Sequence, residues 1–187
     1  IYSEIRKADS LGFRKQNGLF MLEEERLVKR AVDDKLDVIY MIYTNKSALI
    51  ADNTVERAKS TGIPCFMIND GLMSALTQTR PVPAEVALCR MPGYSLSDLP
   101  VNNRSTVLIA DNIENPDNLG LIIRTADACG ADAVISIGKQ ASIYHKNCIR
   151  ASRGAMGRLP VFEYDISEFD TLIDQLKKTG YRIYGSS

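Results

Sequence analysis

The sequence predicts an α/β protein built from two units. Short apolar runs such as Val38 to Tyr43, Thr106 to Ala110 and Asp132 to Ile137 alternate with segments whose apolar residues recur at helical spacing, the pattern of helices covering a mostly parallel sheet. Between these regions lies MPGYSLSDLPVNN, Met91 to Asn103, whose Pro, Gly, Ser and Asn density follows neither a helical nor a strand period. At 187 residues the chain suits one large or two small domains, without internal repeats or low-complexity tracts. The expected division is 1–92, a linker at 93–104, and 105–187.

In the first unit an opening helical segment leads to a strand at Leu19 to Leu22. A helix follows, headed by Glu23, Glu24 and Glu25, three acids suited to the positive end of its dipole. Val38 to Tyr43 is a strand. A helix over Val55 to Ser60 stops before Gly62, and Pro64 to Ile68 reads as a short apolar strand. Met73 to Gln78 is helical and Glu85 to Cys89 closes the unit as a strand. The second unit runs strand (Thr106 to Ala110), helix (Pro116 to Cys129), strand (Asp132 to Ile137), helical turn (Asn147 to Ala151), short strand (Val161 to Phe162), helix (Ser167 to Thr179) and strand (Tyr181 to Tyr184).

Composition narrows the function classes. No apolar run reaches the length of a membrane span, and no charged region followed by an apolar signal core opens the chain, so the expected compartment is the cytoplasm. The four cysteines are scattered without a CxxC pair, and His145 is the single histidine. Buried reduced thiols are expected and a metal site is not. Net charge is zero, which does little for a nucleic-acid partner. Its distribution does more: no acid falls between Asp132 and Glu163, while Lys139, Lys146, Arg150, Arg153 and Arg158 do. That run is either a solvated loop or a phosphate-contacting patch, and phosphate contact is the stronger reading.

The most informative stretch is Asn115 to Gly130, NPDNLGLIIRTADACG. Asn115 is a preferred N-cap and Pro116 suits the first helical position, so a helix starts here. Leu119, Ile122, Ile123 and Ala126 make one apolar stripe. Arg124 lies off it. One turn back, Gly120 costs about 1 kcal/mol of helix propensity relative to Ala, which suggests that something approaches the backbone there. Asn118, in the first turn, offers donor and acceptor where a hydroxyl-bearing or anionic ligand is favoured. On spacing alone, Arg124 and Asp127 could equally be an ordinary surface ion pair, and Asn118 a supplement to the cap.

NPDNLGLIIRTADACGAD resembles the first signature motif of the SpoU (TrmH) family, RNA ribose 2′-O-methyltransferases of the knotted SPOUT superfamily. IRASRGAMGRLPVFEY, Ile149 to Tyr164, is similar to the segment those proteins carry further on. FMLEEERLVKRAV resembles the opening of the family's RNA-recognition domain, with Glu24 where Gly is usual. PVPAEVALCRMP resembles its end, with Pro83 and Ala84 in place of Gln-Gly.

The resemblance implies a ribosomal-protein-like α/β sandwich that recognises RNA over 1–92, and the N-terminal part of a SPOUT methyltransferase domain over 105–187. It also implies S-adenosylmethionine as cofactor, an RNA substrate, ribosomal rather than transfer, and a homodimer through the catalytic domain. Arg124 and Asn118 take the catalytic positions, and Lys146, Arg150, Ser152 and Arg153 the RNA-facing ones. The family's cofactor-binding motifs, an Asn-Glu-Gly loop and an Ile-Pro-Met loop with a Ser-Leu-Asn-Val helix start, do not occur, so the cofactor-binding residues are unknown. The expectation is therefore a fragment with an incomplete trefoil knot that binds cofactor poorly. A non-catalytic RNA-binding protein on the same scaffold is the alternative. A Rossmann-type nucleotide enzyme would need a GxGxxG turn, which ADNIENPDNLG lacks.

Overall fold

The computed structural model describes residue 7 and residues 10–50, 52–77, 80–102 and 104–185. Most of the opening helical segment before Ser10, and Gln78 at the end of one expected helix, lie outside the described residues. The first unit begins with α1 (Leu11–Asn17), β1 (Leu19–Leu22), α2 (Glu25–Asp33) and β2 (Val38–Tyr43). It continues with α3 (Thr54–Ser60), β3 (Cys65–Met67), α4 (Asp70–Thr77) and β4 (Glu85–Arg90). Its sheet has the order β1-β4-β2-β3. β4 runs antiparallel to β1 (Phe20 opposite Cys89) and to β2 (Met41 opposite Ala87), and β2 is parallel to β3 (Ile42 opposite Phe66). β4 is buried from Glu85 to Cys89, as a strand flanked on both sides and covered on both faces must be.

α2 starts later than three consecutive acids suggest. Glu24 is its N-cap, without a side-chain capping bond, and only Glu25 sits in the first turn. Its inner face is Leu27, Val28, Ala31 and Val32.

The second unit comprises β5 (Val107–Asp111), α5 (Pro116–Ala128), β6 (Ala133–Ile137), α6 (Lys146–Ala151), β7 (Val161–Tyr164) and α7 (Phe169–Lys178). Its three strands are parallel in the order β5-β6-β7, with Ile109 opposite Ile135 and Ile135 opposite Phe162. β6 is buried along its whole length.

Tyr181 to Tyr184, expected as a strand, is not one: among the described residues no strand pairs with it. Tyr181 instead packs into the cluster formed by Leu99, Phe162 and Leu172, and its hydroxyl donates to the Pro100 carbonyl at 2.5 Å. A short apolar run becomes a strand only where a sheet edge accepts its backbone, and here a side chain docks in place of the backbone.

Between the sheets, residues 95–99 are tied to the second unit. Ser95 and Asp98 close a capping box around a 3₁₀ turn, Leu96–Asp98, and Leu99 is buried against the second sheet. The two units share one apolar cluster, in which Phe20, Leu22, Leu27 and Val28 join Leu119, Ile123, Ile149 and Met156. No helix among the described residues is long and apolar enough to cross a membrane.

Candidate functional site

The loop and helix after β5 occupy the C-terminal edge of the parallel strands, where ligands of such sheets gather. Asn115 has extended backbone (φ −94°, ψ 121°) and its Oδ1 accepts from the Asp117 N–H at 2.7 Å, with Pro116 next. The sequence reading of this helix start therefore holds in detail. Leu119, Gly120, Ile123 and Ala126 face inward, while Asn118, Leu121, Arg124 and Thr125 are exposed.

Gly120 does mark a close approach, but the approaching group is protein. A Cβ there would lie 2.4 Å from the Cys148 carbonyl oxygen and 2.6 Å from Ala151 Cβ, so α6 crosses directly against α5. The same contact is tied by Asp117, which accepts from Asn147 Nδ2 at 3.0 Å and from Arg150 Nη2 at 3.3 Å. Nothing in the spacing of Asp117 pointed to residues 30 and more positions away.

Arg124 makes no hydrogen bond or ion pair among the described residues, and neither does Asn118. The local ion pair offered as an alternative for Arg124 does not form. Asp127 turns to Arg158 Nη2 at 2.5 Å, a bond between half-buried groups that leaves the Arg124 guanidinium in solvent.

α6 carries two of the four expected RNA-facing residues, Lys146 and Arg150, and Ser152 is its C-cap. His145 caps it, its Nδ1 accepting from the Asn147 N–H at 3.2 Å. Burial, and then the neighbouring Arg14 and Lys146 charges, hold the imidazole below its ordinary pKa, against a smaller opposing pull from Asp117. Lys146 and Arg150 are exposed. Ser152 departs from the expectation: it is 1% exposed and its hydroxyl donates to the Ile149 carbonyl at 2.8 Å, closing the helix rather than facing a phosphate. Arg153 reaches across to pair with Glu24 of the first unit. Lys139 pairs with Asp165 at 3.4 Å, and Arg158 lies 3.8 Å from Asp34 as well as against Asp127. The basic run is thus matched largely by acids distant in sequence.

Between α2, the turn at Arg80 and α6 lies a cleft of about 340 Å³, with Leu22, Leu27 and Ile149 inside and Arg80, Lys146 and Arg150 at its rim. Neither Asn118 nor Arg124 lines it. Sequence reasoning missed Arg80, which nothing local distinguishes. It missed Arg14 too. Although 3% exposed, Arg14 donates from Nε to the Tyr144 carbonyl at 2.8 Å, and beside it Lys15 pairs with Glu163. Glu163 also accepts from Ser142 Oγ and the Ile143 N–H, both at 2.8 Å, so the loop leading into α6 is clamped between the units. No group of His, Cys, Asp and Glu able to hold a metal occurs among the described residues.

With this geometry in place, comparison with known proteins is specific. Residues 105–187 match the sequence model of the SpoU rRNA Methylase family. The matched residues coincide with the second unit. The similarity extends beyond that domain: the chain is 31% identical over 175 residues to the 23S rRNA (guanosine(2553)-2′-O)-methyltransferase RlmP of Bacillus subtilis, covering 93% of this chain and 64% of that protein. The chain thus spans just under two thirds of the length of this curated relative. The fold matches the crystal structure of an rRNA methyltransferase from Sinorhizobium meliloti with a TM-score of 0.81 at 23% identity, over 100% of this chain and 71% of the other. It also matches the SpoU methyltransferase AviRb from Streptomyces viridochromogenes in complex with AdoMet, at a TM-score of 0.78 and 24% identity over 95% and 69%. The region matched by the family model opens just before β5 and takes in all of α5 and α6.

Proposed function

We propose that the protein belongs to an enzyme that methylates an RNA ribose 2′-hydroxyl with S-adenosylmethionine, in the cytoplasm and on ribosomal rather than transfer RNA. The observation that carries this reading is α5: a capped helix at the strand edge of a SpoU-family domain that presents Asn118 and an unengaged Arg124 to solvent. The relative's own substrate, a guanosine of 23S rRNA, supports the choice of RNA. In this reading residues 1–92 recognise the RNA, 93–104 join the units and 105–187 begin the catalytic domain. A homodimer through that domain is part of it, and Leu108 and Leu121 are exposed apolar side chains there.

S-adenosylmethionine supplies the methyl group. At the ends of β5 and β6 the Gly138 backbone passes close to Asn112, an added Cβ lying 3.3 Å from Asn112 Cα, and none of the cofactor-loop motifs named above occurs in these residues. No step is therefore routed through the cofactor, and this chain's residues are assigned to the hydroxyl side. The attacking oxygen sheds its proton as it bonds to carbon, which calls for a base or fixed positive charge beside it. Arginine stays protonated in proteins, so Arg124 acts by stabilising the developing alkoxide rather than by abstracting the proton, which passes to solvent water. Asn118, a donor and an acceptor together, orients the ribose.

The test is transfer of tritiated methyl from S-adenosylmethionine to rRNA by the full-length encoded protein, followed by nucleoside analysis. A 2′-O-methylnucleoside is expected. Label on a base, or RNA binding without transfer, would sink the reading, the second in favour of a non-catalytic RNA-binding protein.

A further inference from the structure

The carboxylate of Asp117 serves a helix other than the one that carries it. The backbone N–H of Asp117 is already taken by Asn115 Oδ1 at 2.7 Å, so the start of α5 is capped without the Asp117 side chain. That side chain reaches α6 instead, Oδ2 accepting from Asn147 Nδ2 at 3.0 Å and Oδ1 from Arg150 Nη2 at 3.3 Å. Asn147 and Arg150 stand three positions apart, as neighbours on one helix face. Two oxygens held by two donors fix the rotation of a turn as well as its distance, which one bond alone does not. The loop that leads into α6 is itself held, by Arg14 on the Tyr144 carbonyl and by Glu163 on Ser142 and the Ile143 N–H. α6 is therefore a fixed reference for Asp117. Asn118, the next residue and about 100° further round the helix, is exposed and makes no hydrogen bond of its own among the described residues. Its direction depends on the turn that Asp117 ties down.

We propose that Asp117 is a positioning residue for the methyl transfer: by holding Asn147 and Arg150 it sets the direction in which α5 presents Asn118 to the ribose. The proposal rests on the enzyme reading above and deepens it. It also connects the first unit to the chemistry, because Arg14 of that unit anchors the loop from which α6 departs. The Asp117–Arg150 pair is half-exposed, and such pairs contribute little to stability, so the consequence of losing it is misorientation rather than unfolding. An acid in the first turn also favours the helix dipole, but that effect belongs to the charge at position 117 alone. Exchanging the side chains of residues 117 and 147 removes that charge and keeps the hydrogen bond between them.

The test is steady-state methyl transfer to rRNA by the full-length protein, with kcat and the KM for RNA measured separately. The variants are Asp117→Ala, Asp117→Asn, and Asp117→Asn combined with Asn147→Asp. Asp117→Ala should lower kcat by about ten- to a hundredfold with KM within about twofold of the wild type, the scale on which a misplacement of about an ångström is felt. Asp117→Asn keeps one acceptor but turns an amide N–H toward a donor, and should fall between. In the exchanged pair the amide at 117 donates to the carboxylate at 147 and accepts from Arg150, and kcat should return to within about threefold of the wild type. Thermal midpoints should stay within a few degrees throughout. A kcat for Asp117→Ala within twofold of the wild type, an exchanged pair no better than Asp117→Asn, or a rise in KM with kcat unchanged would overturn the proposal. So would a fall in activity that follows a matching fall in thermal midpoint. No transfer by the wild type would sink the enzyme reading and this proposal together, whereas wild-type transfer indifferent to Asp117 would sink the proposal alone.

Discussion

The Cβ that Gly120 lacks would lie 2.4 Å from the carbonyl oxygen of Cys148, so α5 and α6 meet at a distance only glycine permits. The obstructing atom is backbone and cannot rotate away. Gly120→Ala gains about 1 kcal/mol of helix propensity but, against an immovable backbone oxygen, incurs about 2–3 kcal/mol of overpacking, for a net loss of about 1–2 kcal/mol in urea unfolding. A variant as stable as wild type would show that α6 is free to move.

Arg124 is exposed and has no partner among the described residues, so its removal should leave the fold intact. In the full-length protein, Arg124→Ala should lower the rate of methyl transfer by about a hundredfold or more, the scale on which loss of one charge-stabilising group is felt. RNA affinity should stay within a few fold and the midpoint of thermal unfolding should not move. Substantial residual transfer would remove Arg124 from the mechanism.

The Arg14 guanidinium is buried on the Tyr144 carbonyl across the two units. Arg14→Met keeps most of the packing and leaves that carbonyl without this donor. The expected loss is about 1–3 kcal/mol in urea unfolding.

Burial raises the pKa of the Glu85 carboxyl above the ordinary value, with the Ser47 hydroxyl, 2.5 Å from its Oε1, pulling the other way. The folded protein therefore keeps this proton after the unfolded chain has lost it. Stability falls as pH rises from the unfolded pKa through the folded one, and the penalty is fully present above it. Glu85→Gln should be near neutral at pH 4 and stabilising at pH 8 in chemical denaturation. An effect equal at both pH values would show that Glu85 ionises normally.

Burial also pushes the Cys148 thiol up to about 12, whereas Cys129 is exposed. At pH 8 iodoacetamide should label Cys129 first and reach Cys148 only on unfolding. Equal labelling rates in the native protein, read by peptide mass, would contradict the packing of α6.

The parts of this molecule written in local chemistry were legible before the fold was known. β2 was expected at Val38 to Tyr43 and is found there, and the Asn115-Pro116 start of α5 needs only neighbouring residues to specify it. What depends on distant partners was not. Tyr181 to Tyr184 has the apolar content of a strand, yet its fate was decided by Pro100 and the cluster around Leu99. Ser152 lies in a basic run, but its hydroxyl is taken up by the helix it ends. The run itself looked uncompensated because its acids, Glu24, Asp34, Asp117, Asp127 and Asp165, all lie outside it in sequence. Gly120 gave a true signal of close approach, while the approaching group, the Cys148 carbonyl of α6, lies too far along the chain to be read locally.

The apolar cluster that joins Leu27 to Ile149 also limits how such a protein can be rearranged. A first unit exchanged for an unrelated α/β domain would have to bring its own matches for Ile149 and Met156, and for Gly157, where Leu36 packs into the place a Cβ would take. The surface of the first unit is therefore altered more easily by changing its exposed residues than by exchanging the whole unit.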